Sequence, residues 1–261
     1  MHRPIGYRGF WLGLLASLIL GAPVAGQSTG STSLDMALQS VDSLRAAGAF
    51  SEARDRLSAL RDEHPNAVPV LWRLAYTEVD LGKEADEKEA ASPHYEAALE
   101  VANAAVDTDS TNARAHLAKA IAEGRIALDA GTRERVQRSR AIKRHADRAI
   151  ALDSTLAGAY HVRGRWHRGV ADLGFFERAI VKTVYGGLPD ASFEQSVRDF
   201  ERALALEDEP FHHLELGKTY LKMDRPEAAR KQFEMVLEMP ADDPFESGYR
   251  DEARTLLEEM D

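Results

Sequence analysis

The chain has 261 residues, 44% of them hydrophobic and 29% charged, with a formal net charge of -10. This balance belongs to a water-soluble chain able to bury a sizeable core. It excludes a wholly disordered, collagen-like or polytopic membrane protein, and the acidity argues against broad nucleic-acid affinity. Zero cysteines exclude a disulfide framework, a thiol nucleophile, a thiolate zinc site, an iron–sulfur cluster and a lipidated N-terminal cysteine.

Residues 1–26 read as a secretory signal peptide. Arg3 and Arg8 precede the apolar run Trp11 to Leu20 (WLGLLASLIL), and the small residues of GAPVAG suit cleavage after Gly26. A membrane anchor is the rival, but the run is half the roughly 20 apolar residues that crossing a bilayer needs. Cleavage would leave 31 basic residues against 43 acidic ones, a formal charge of -12, in a periplasmic or secreted protein. Residues 27–33 (QSTGSTS) read as a flexible tether.

Residues 34–261 alternate between amphipathic helices with almost no β-branched alternation, which predicts an all-α domain. The clearest unit lies near the C-terminus. His213, Leu216, Gly217 and Tyr220 are followed by Ala229 and Phe233, then Pro240. This order resembles the tetratricopeptide pattern, whose period is about 34 residues. Gly217 and Ala229 would let two antiparallel helices approach closely while Tyr220 and Phe233 fill the gaps beside them. Earlier units carry the pattern more loosely: Ala53, Leu57 and Leu60 after a turn at Gly48; Leu71, Leu74, Ala75 and Gly82 with Ala98, Ala102 and Ala105; then Ala113 to about Ile150 and Ala157 to Leu204.

Leu60, Ala105, Ala149, Ala203 and Val236 as equivalent positions lie 45, 44, 54 and 33 residues apart, so three units contain insertions. These fall at Lys83 to Ser92, around Leu128 to Gln137, and at Leu173 to Asp190. A final helix from about Glu246 to Met260 follows Asp243 and Pro244 and suits a terminal cap. The predicted fold is an all-α, tetratricopeptide-like α-α superhelix of about five helix pairs, with inserted helices and a C-terminal capping helix.

Three segments carry a more specific resemblance: GTRERVQRSRAIKRHADRAIALD, HVRGRWHRGVADLGFFERAIVKTVYGGLPDASFEQSVRDFERALAL and LELGKTYLKMDRPEAARKQFEMVLEMP. Together they resemble the helical domain of the regulator of microtubule dynamics proteins, from about Val70 to the C-terminus and with the insertions included. The resemblance implies a helical-repeat superhelix used for binding rather than catalysis.

In such a superhelix the first helix of each pair lines the concave surface, and positions spaced i, i+4, i+7 share a face. The register set by Gly217 assigns to the groove Leu214, Lys218 and Leu221. With Gly164 in the same role it assigns His161, Arg165 and Arg168. Leu117, Ile121 and Gly124 follow from the third unit, and Trp72, Tyr76 and Val79 from the second. This groove is apolar and aromatic at one end and basic at the other, suited to an acidic peptide with apolar anchors or to an anionic amphiphile such as a phospholipid. Arg165 and Arg168, facing inward, require a ligand or a carboxylate such as Asp172.

Arg133 to Arg148 holds seven basic residues against two acidic ones. Its candidate stripe is Arg133, Arg140, Lys143 and Arg144, and a solvated face balancing acidic neighbours is the expected role. In Phe175 to Tyr185 (FFERAIVKTVY), Phe176, Ile180 and Val184 form a four-residue ladder. The expectation is that it packs on its own superhelix, with a membrane surface or a lid over the groove as alternatives. Gly186 and Gly187 end it. The common hydrolase, esterase and nucleotide-binding signatures are absent, and His161, His167 and the adjacent His212 and His213 lack metal-ligand spacing. The sequence therefore reads as a non-catalytic module with no cofactor and no metal. Its expected partner is a protein or peptide, alternatively a phospholipid, and not nucleic acid.

Overall fold

The structure, a computed structural model, describes residues 28–240 and 244–261; the expected signal peptide lies outside the described residues. Among these there are twelve helices and no strand. Five helix–turn–helix units follow one another: α1 (Ser28–Ala46) and α2 (Phe50–Glu63), α3 (Val68–Glu84) and α4 (Lys88–Thr108), α5 (Ala113–Asp129) and α6 (Thr132–Leu152), α7 (Ala157–Ala171) and α9 (Phe193–Leu206), α10 (Pro210–Lys222) and α11 (Pro226–Glu238). The short α8 (Phe175–Tyr185) stands between α7 and α9, and α12 (Glu246–Glu258) packs on α10 and α11 at the C-terminal end. First helices also pack on first helices of the next unit, α3 on α5 and α5 on α7, which gives the expected α-α superhelix.

The residues Ser28 to Ser33, read from the sequence as a tether, continue α1 as its first turns. The anchored part of α1, where Leu38 and Val41 are buried, supplies the costly nucleus. Adding Ser, Thr and Gly residues to an existing helix then costs only a few tenths of a kcal/mol each to about 1 for Gly.

The core follows one register. On the second helices, Ala53 and Leu57, Ala98, Ala102 and Ala105, Ala146 and Ala149, Phe200 and Ala203, and Ala229, Phe233 and Val236 are all fully buried. The equivalent register position of the first helix is small: Ala75, Ala120, Gly164 and Gly217. A Cβ added at Gly217 would lie 2.4 Å from the Phe233 ring, and one at Gly164 would lie 3.0 Å from Phe200. Each ring thus occupies the volume that a side chain opposite would need. Full burial of such a ring contributes roughly 1.5–3 kcal/mol.

The three insertions are absorbed in two ways. The first two lengthen helices: α4 and α6 reach 21 residues each, against 13 for α11. In the first of them Tyr95 packs into the notch at Gly82, where an added Cβ would sit 2.4 Å from its ring. The third builds α8 as a separate element. Glu177 accepts from the Gly174 backbone N–H at 2.9 Å at its start, and Gly186 and Gly187, at φ +76° and +82°, end it as anticipated.

The predicted ladder on α8 does not pack on the superhelix. Only Val181 is buried, whereas Phe176 is 80% exposed, Ile180 51% and Val184 65%. The surface offered by α6 explains this: Arg140 donates to the carbonyls of Tyr185 and Gly187, so α8 is held by polar contacts at its end and meets no apolar groove.

Successive units join through a recurring turn. Asp109 accepts from the Thr111 N–H and hydroxyl at 2.8 and 2.6 Å, and Asp153 repeats this with Thr155 at 2.9 and 2.6 Å. The C-terminal end curls back to the first units. Phe245 stacks on Phe50 with ring centroids 5.4 Å apart and 7° between planes. Lys83 Nζ lies 3.2 Å from the Phe245 centroid, and Pro244 abuts the turn at Gly48.

Two buried histidine pairs bridge helices. His116 and His145 meet Nδ1 to Nδ1 at 2.8 Å, as do His161 and His212. The Ser110 carbonyl can only accept, so His116 Nε2 carries hydrogen at its 3.0 Å contact. In the neutral pair His145 Nδ1–H therefore donates to His116 Nδ1. Burial lowers the pKa of all four, with His145 and His212 pushed down to about 4.

This packing has two measurable consequences. Gly217→Leu overpacks the contact with Phe233 and costs roughly 1–3 kcal/mol; urea denaturation that leaves the midpoint unchanged would count against the register. The histidine pairs bind protons more readily when unfolded. Their contribution is thus complete above about pH 6.5 and is lost as pH falls toward 4, on the order of 3 kcal/mol for each pair. A melting temperature constant from pH 7 to 5 would contradict this.

Candidate functional site

The concave face holds a cavity of about 660 Å³. Its walls come from six helices: the C-terminal ends of α3 and α5, the start of α4, the middle of α7 and α10, and α12. Tyr95, Leu128, Phe211, Leu214, Phe245 and Tyr249 make it apolar, while Lys83, Lys88, Arg125, Arg165 and Lys218 give it cations against Asp129, Glu215 and Glu252.

Four of the twelve groove residues chosen from the sequence line this cavity: His161, Arg165, Leu214 and Lys218. Each pair sits at i, i+4, His161 and Arg165 on α7, Leu214 and Lys218 on α10, and so projects from one helical face. The apolar end of the predicted groove is instead internal packing. Trp72 is 7% exposed, edge-on to Tyr76 at 5.3 Å and flanked by the guanidinium groups of Arg73 and Arg114. Tyr76, Leu117 and Ile121 belong to one cluster, Val79 and Ile121 to the next, and Leu221 packs on the Phe233 core. Neighbouring first helices approach closely enough here to consume the face that was expected to remain open.

Glu215 organises the basic side. Its carboxylate meets Arg168 in a short contact, Lys218 at 3.2 Å and Arg165 at 3.6 Å, and Arg168 also donates to the Glu215 carbonyl at 2.7 Å. Burial opposes ionisation of Glu215, but Arg165, Arg168 and Lys218 outweigh it and hold the carboxyl well below its ordinary range. Arg168 thus lies behind the wall, bound to Glu215. Asp172, the expected carboxylate, bonds Lys222 at 2.8 Å. Lys218 also reaches Glu252 at 2.5 Å, and Lys88 pairs with Asp129 at 3.0 Å.

Arg125 differs from these cations. It has no hydrogen-bond or ion-pair partner among the described residues, and burial with the like charge of Arg165 lowers its pKa. A guanidinium so placed on an apolar wall is a ready partner for a carboxylate or phosphate group. Sequence reasoning missed it by one turn: Arg125 lies four residues beyond Ile121, as Lys83 lies four beyond Val79, on the faces that had been chosen. Phe245 and Tyr249 carried no such signal, because their place depends on the closure of α12 over a distance the repeat pattern does not encode.

The basic stripe divides similarly. Arg140 anchors the end of α8, and Lys143 pairs with Asp147 at 2.6 Å beside a small, charged depression of about 280 Å³. Arg133 and Arg144 are exposed, with no carboxylate partner among the described residues. No group of His, Asp and Glu suited to a metal ion occurs among the described residues, and no described helix is long and apolar enough to cross a membrane.

The model of the family described as regulator of microtubule dynamics protein 1-3 matches residues 37–261. The chain is 27% identical over 228 residues to regulator of microtubule dynamics protein 1 of Bos taurus, spanning 86% of this chain and 71% of the bovine protein. It is 28% identical over 192 residues to the Mus musculus protein of that name, spanning 72% of this chain and 63%, less than two thirds, of the mouse protein. Among solved structures, a thermophilic tetratricopeptide protein of Thermus thermophilus superposes with a TM-score of 0.62 at 21% identity, spanning 85% of this chain and 98% of that one. That likeness concerns the fold.

Removing the Glu215 carboxylate takes the ion-pair partner from Arg165 and Arg168 and leaves Lys218 with Glu252 alone. Glu215→Ala is expected to cost about 3–5 kcal/mol in urea denaturation, with much of the loss recovered when Arg168→Met is added. An unperturbed midpoint would show that the cluster is not the hub of this wall.

Proposed function

Because the chain belongs to the regulator of microtubule dynamics protein 1-3 family and has a tetratricopeptide-like fold, we propose that it is a non-catalytic binding module whose concave cavity takes an acidic protein or peptide segment. The observation that carries this reading is Arg125, a guanidinium without a partner among the described residues, which shares the wall with Arg165 and with the apolar side chains of Tyr95, Leu128, Phe211 and Leu214. A terminal or side-chain carboxylate would meet Arg125, and an apolar anchor would fill the aromatic end. The mixed walls also favour a second reading, in which the occupant is an anionic amphiphile such as a phospholipid.

We further propose that residues 1–26 direct export and are removed after Gly26, leaving a periplasmic or secreted protein. The relatives' names refer to microtubules; an exported chain would not meet cytoplasmic microtubules, so that association forms no part of the proposal.

Native mass spectrometry of the purified protein separates the two occupants. A clean apo spectrum together with a captured acidic peptide supports the first reading, and a stoichiometric phospholipid supports the second. Arg125→Glu is expected to weaken capture of either at least tenfold, since a charge-assisted bond becomes a repulsion, while leaving the melting temperature unchanged because Arg125 holds no partner. Capture that is insensitive to Arg125→Glu would refute this assignment of the cavity. The mature protein is expected to begin at Gln27, which its intact mass checks directly.

A further inference from the structure

The helix α8 is an element that the repeat fold does not need and the proposed cavity does not use. On a helix of about 3.6 residues per turn, Phe175, Phe176, Ala179 and Ile180 lie on the side away from Val181, its one buried residue. Phe175 and Phe176 are 81% and 80% exposed, with ring centroids 5.7 Å apart and the planes at 79°. Single exposed apolar residues need no explanation, but two phenylalanines with Ile180 and Val184 on eleven residues form a patch that water does not favour.

Cations outnumber the one acid of this helix around the patch. Arg178 and Lys182 follow one edge of the helix, both exposed, and Arg140 of α6 holds its far end at Tyr185 and Gly187. The helix's single acid, Glu177, is held at the N-terminal cap by the Gly174 N–H. Against a whole-chain charge of -10, this is a local cationic rim around protruding aromatic rings. The cap, the Gly186–Gly187 ending and the bonds of Arg178 to the carbonyls of Ala171 and Leu173 keep the helix formed without tertiary burial of its outer face.

We propose that α8 docks this protein on an anionic bilayer surface, with Phe175, Phe176 and Ile180 entering the headgroup–acyl boundary and Lys182, with the part of the Arg178 guanidinium not bound to backbone carbonyls, facing lipid phosphates. Apolar side chains on one face with basic residues at its edge are what such a surface selects. A second copy of the chain fits less well, because a two-fold contact through α8 would set Arg178 and Lys182 against their own counterparts.

Since the chain has no cysteine, an environment-sensitive fluorophore on Ala179→Cys reports from the middle of the outer face. The same dye on Glu52→Cys, exposed on α2, serves as the control in the full chain. The expected result with vesicles of phosphatidylcholine and phosphatidylglycerol is a blue shift and protection from iodide quenching at position 179 alone, much reduced with phosphatidylcholine only. Lys182→Ala is expected to raise the lipid concentration at half-shift about five-fold. Position 179 remaining quenchable while the vesicles carry the protein would overturn the proposal. A blue shift without vesicles would overturn it too, assigning the face to a second copy if it grows with protein concentration, and to the chain's own apolar N-terminal run if it does not.

Discussion

The close approach of the two helices within each pair is the constraint on which the structure rests. Gly217 and Gly164 leave room for one aromatic ring each, and Phe233 and Phe200 fill it so fully that neither is exposed at all. In the middle units the equivalent positions of the register hold Ala75 and Ala120 on the first helix and Ala102 and Ala146 on the second, all fully buried. Bulk therefore comes from one side where glycine meets phenylalanine, and is small on both sides where the register holds alanines, so the helices stay close in either case. The register repeats on every second helix while the loops between do not, so a chain with units of unequal length still builds one continuous core.

Unequal length is also what makes the cavity. An ideal repeat ends its helices level and leaves a shallow inner face. Here α3 and α5 each run to 17 residues against 13 for α10, and their added turns bring Lys83, Arg125 and Leu128 over the inner surface. The α12 segment then closes the opposite side through Phe245 and Tyr249. The part of the inner face nearer the helix starts, around Trp72, Tyr76 and Leu117, is consumed by packing between successive units. The pocket therefore sits where the family pattern is interrupted rather than where it is kept.

This geometry explains how much could be read from the residues alone. Pair order, the glycine register, the three insertions and the terminal cap follow from spacings along single helices, which are local and periodic. The basic side of the site followed too, since His161, Arg165, Leu214 and Lys218 share faces at i, i+4. The aromatic end did not, because exposure of Trp72 or Val79 depends on how closely α3 and α5 approach, and that distance is a property of two units together. The ladder of α8 was visible as a pattern, but its outward direction depends on what α6 presents: polar Arg140 at the contact rather than an apolar groove.

Charge balance links these elements. In the cavity wall, Glu215 serves Arg165, Arg168 and Lys218 at once, and Lys218 shares Glu252 as well. This network fixes α7 against α10 and α12 and is satisfied without a ligand. A satisfied network gives no preference for an incoming anion, because any new bond must replace one already made. Arg125 lies outside it, with its desolvation only partly offset, so it is the cation in the wall whose energy an anion would improve most. The same α7 that carries Arg165 ends at Ala171, whose carbonyl, with that of Leu173 in the turn that follows, receives Arg178 and ties down the start of α8. One rigid helix therefore bears both the basic wall of the cavity and the root of the exposed amphipathic segment. An occupant that draws on the wall and a surface that receives α8 would act on opposite ends of a single element.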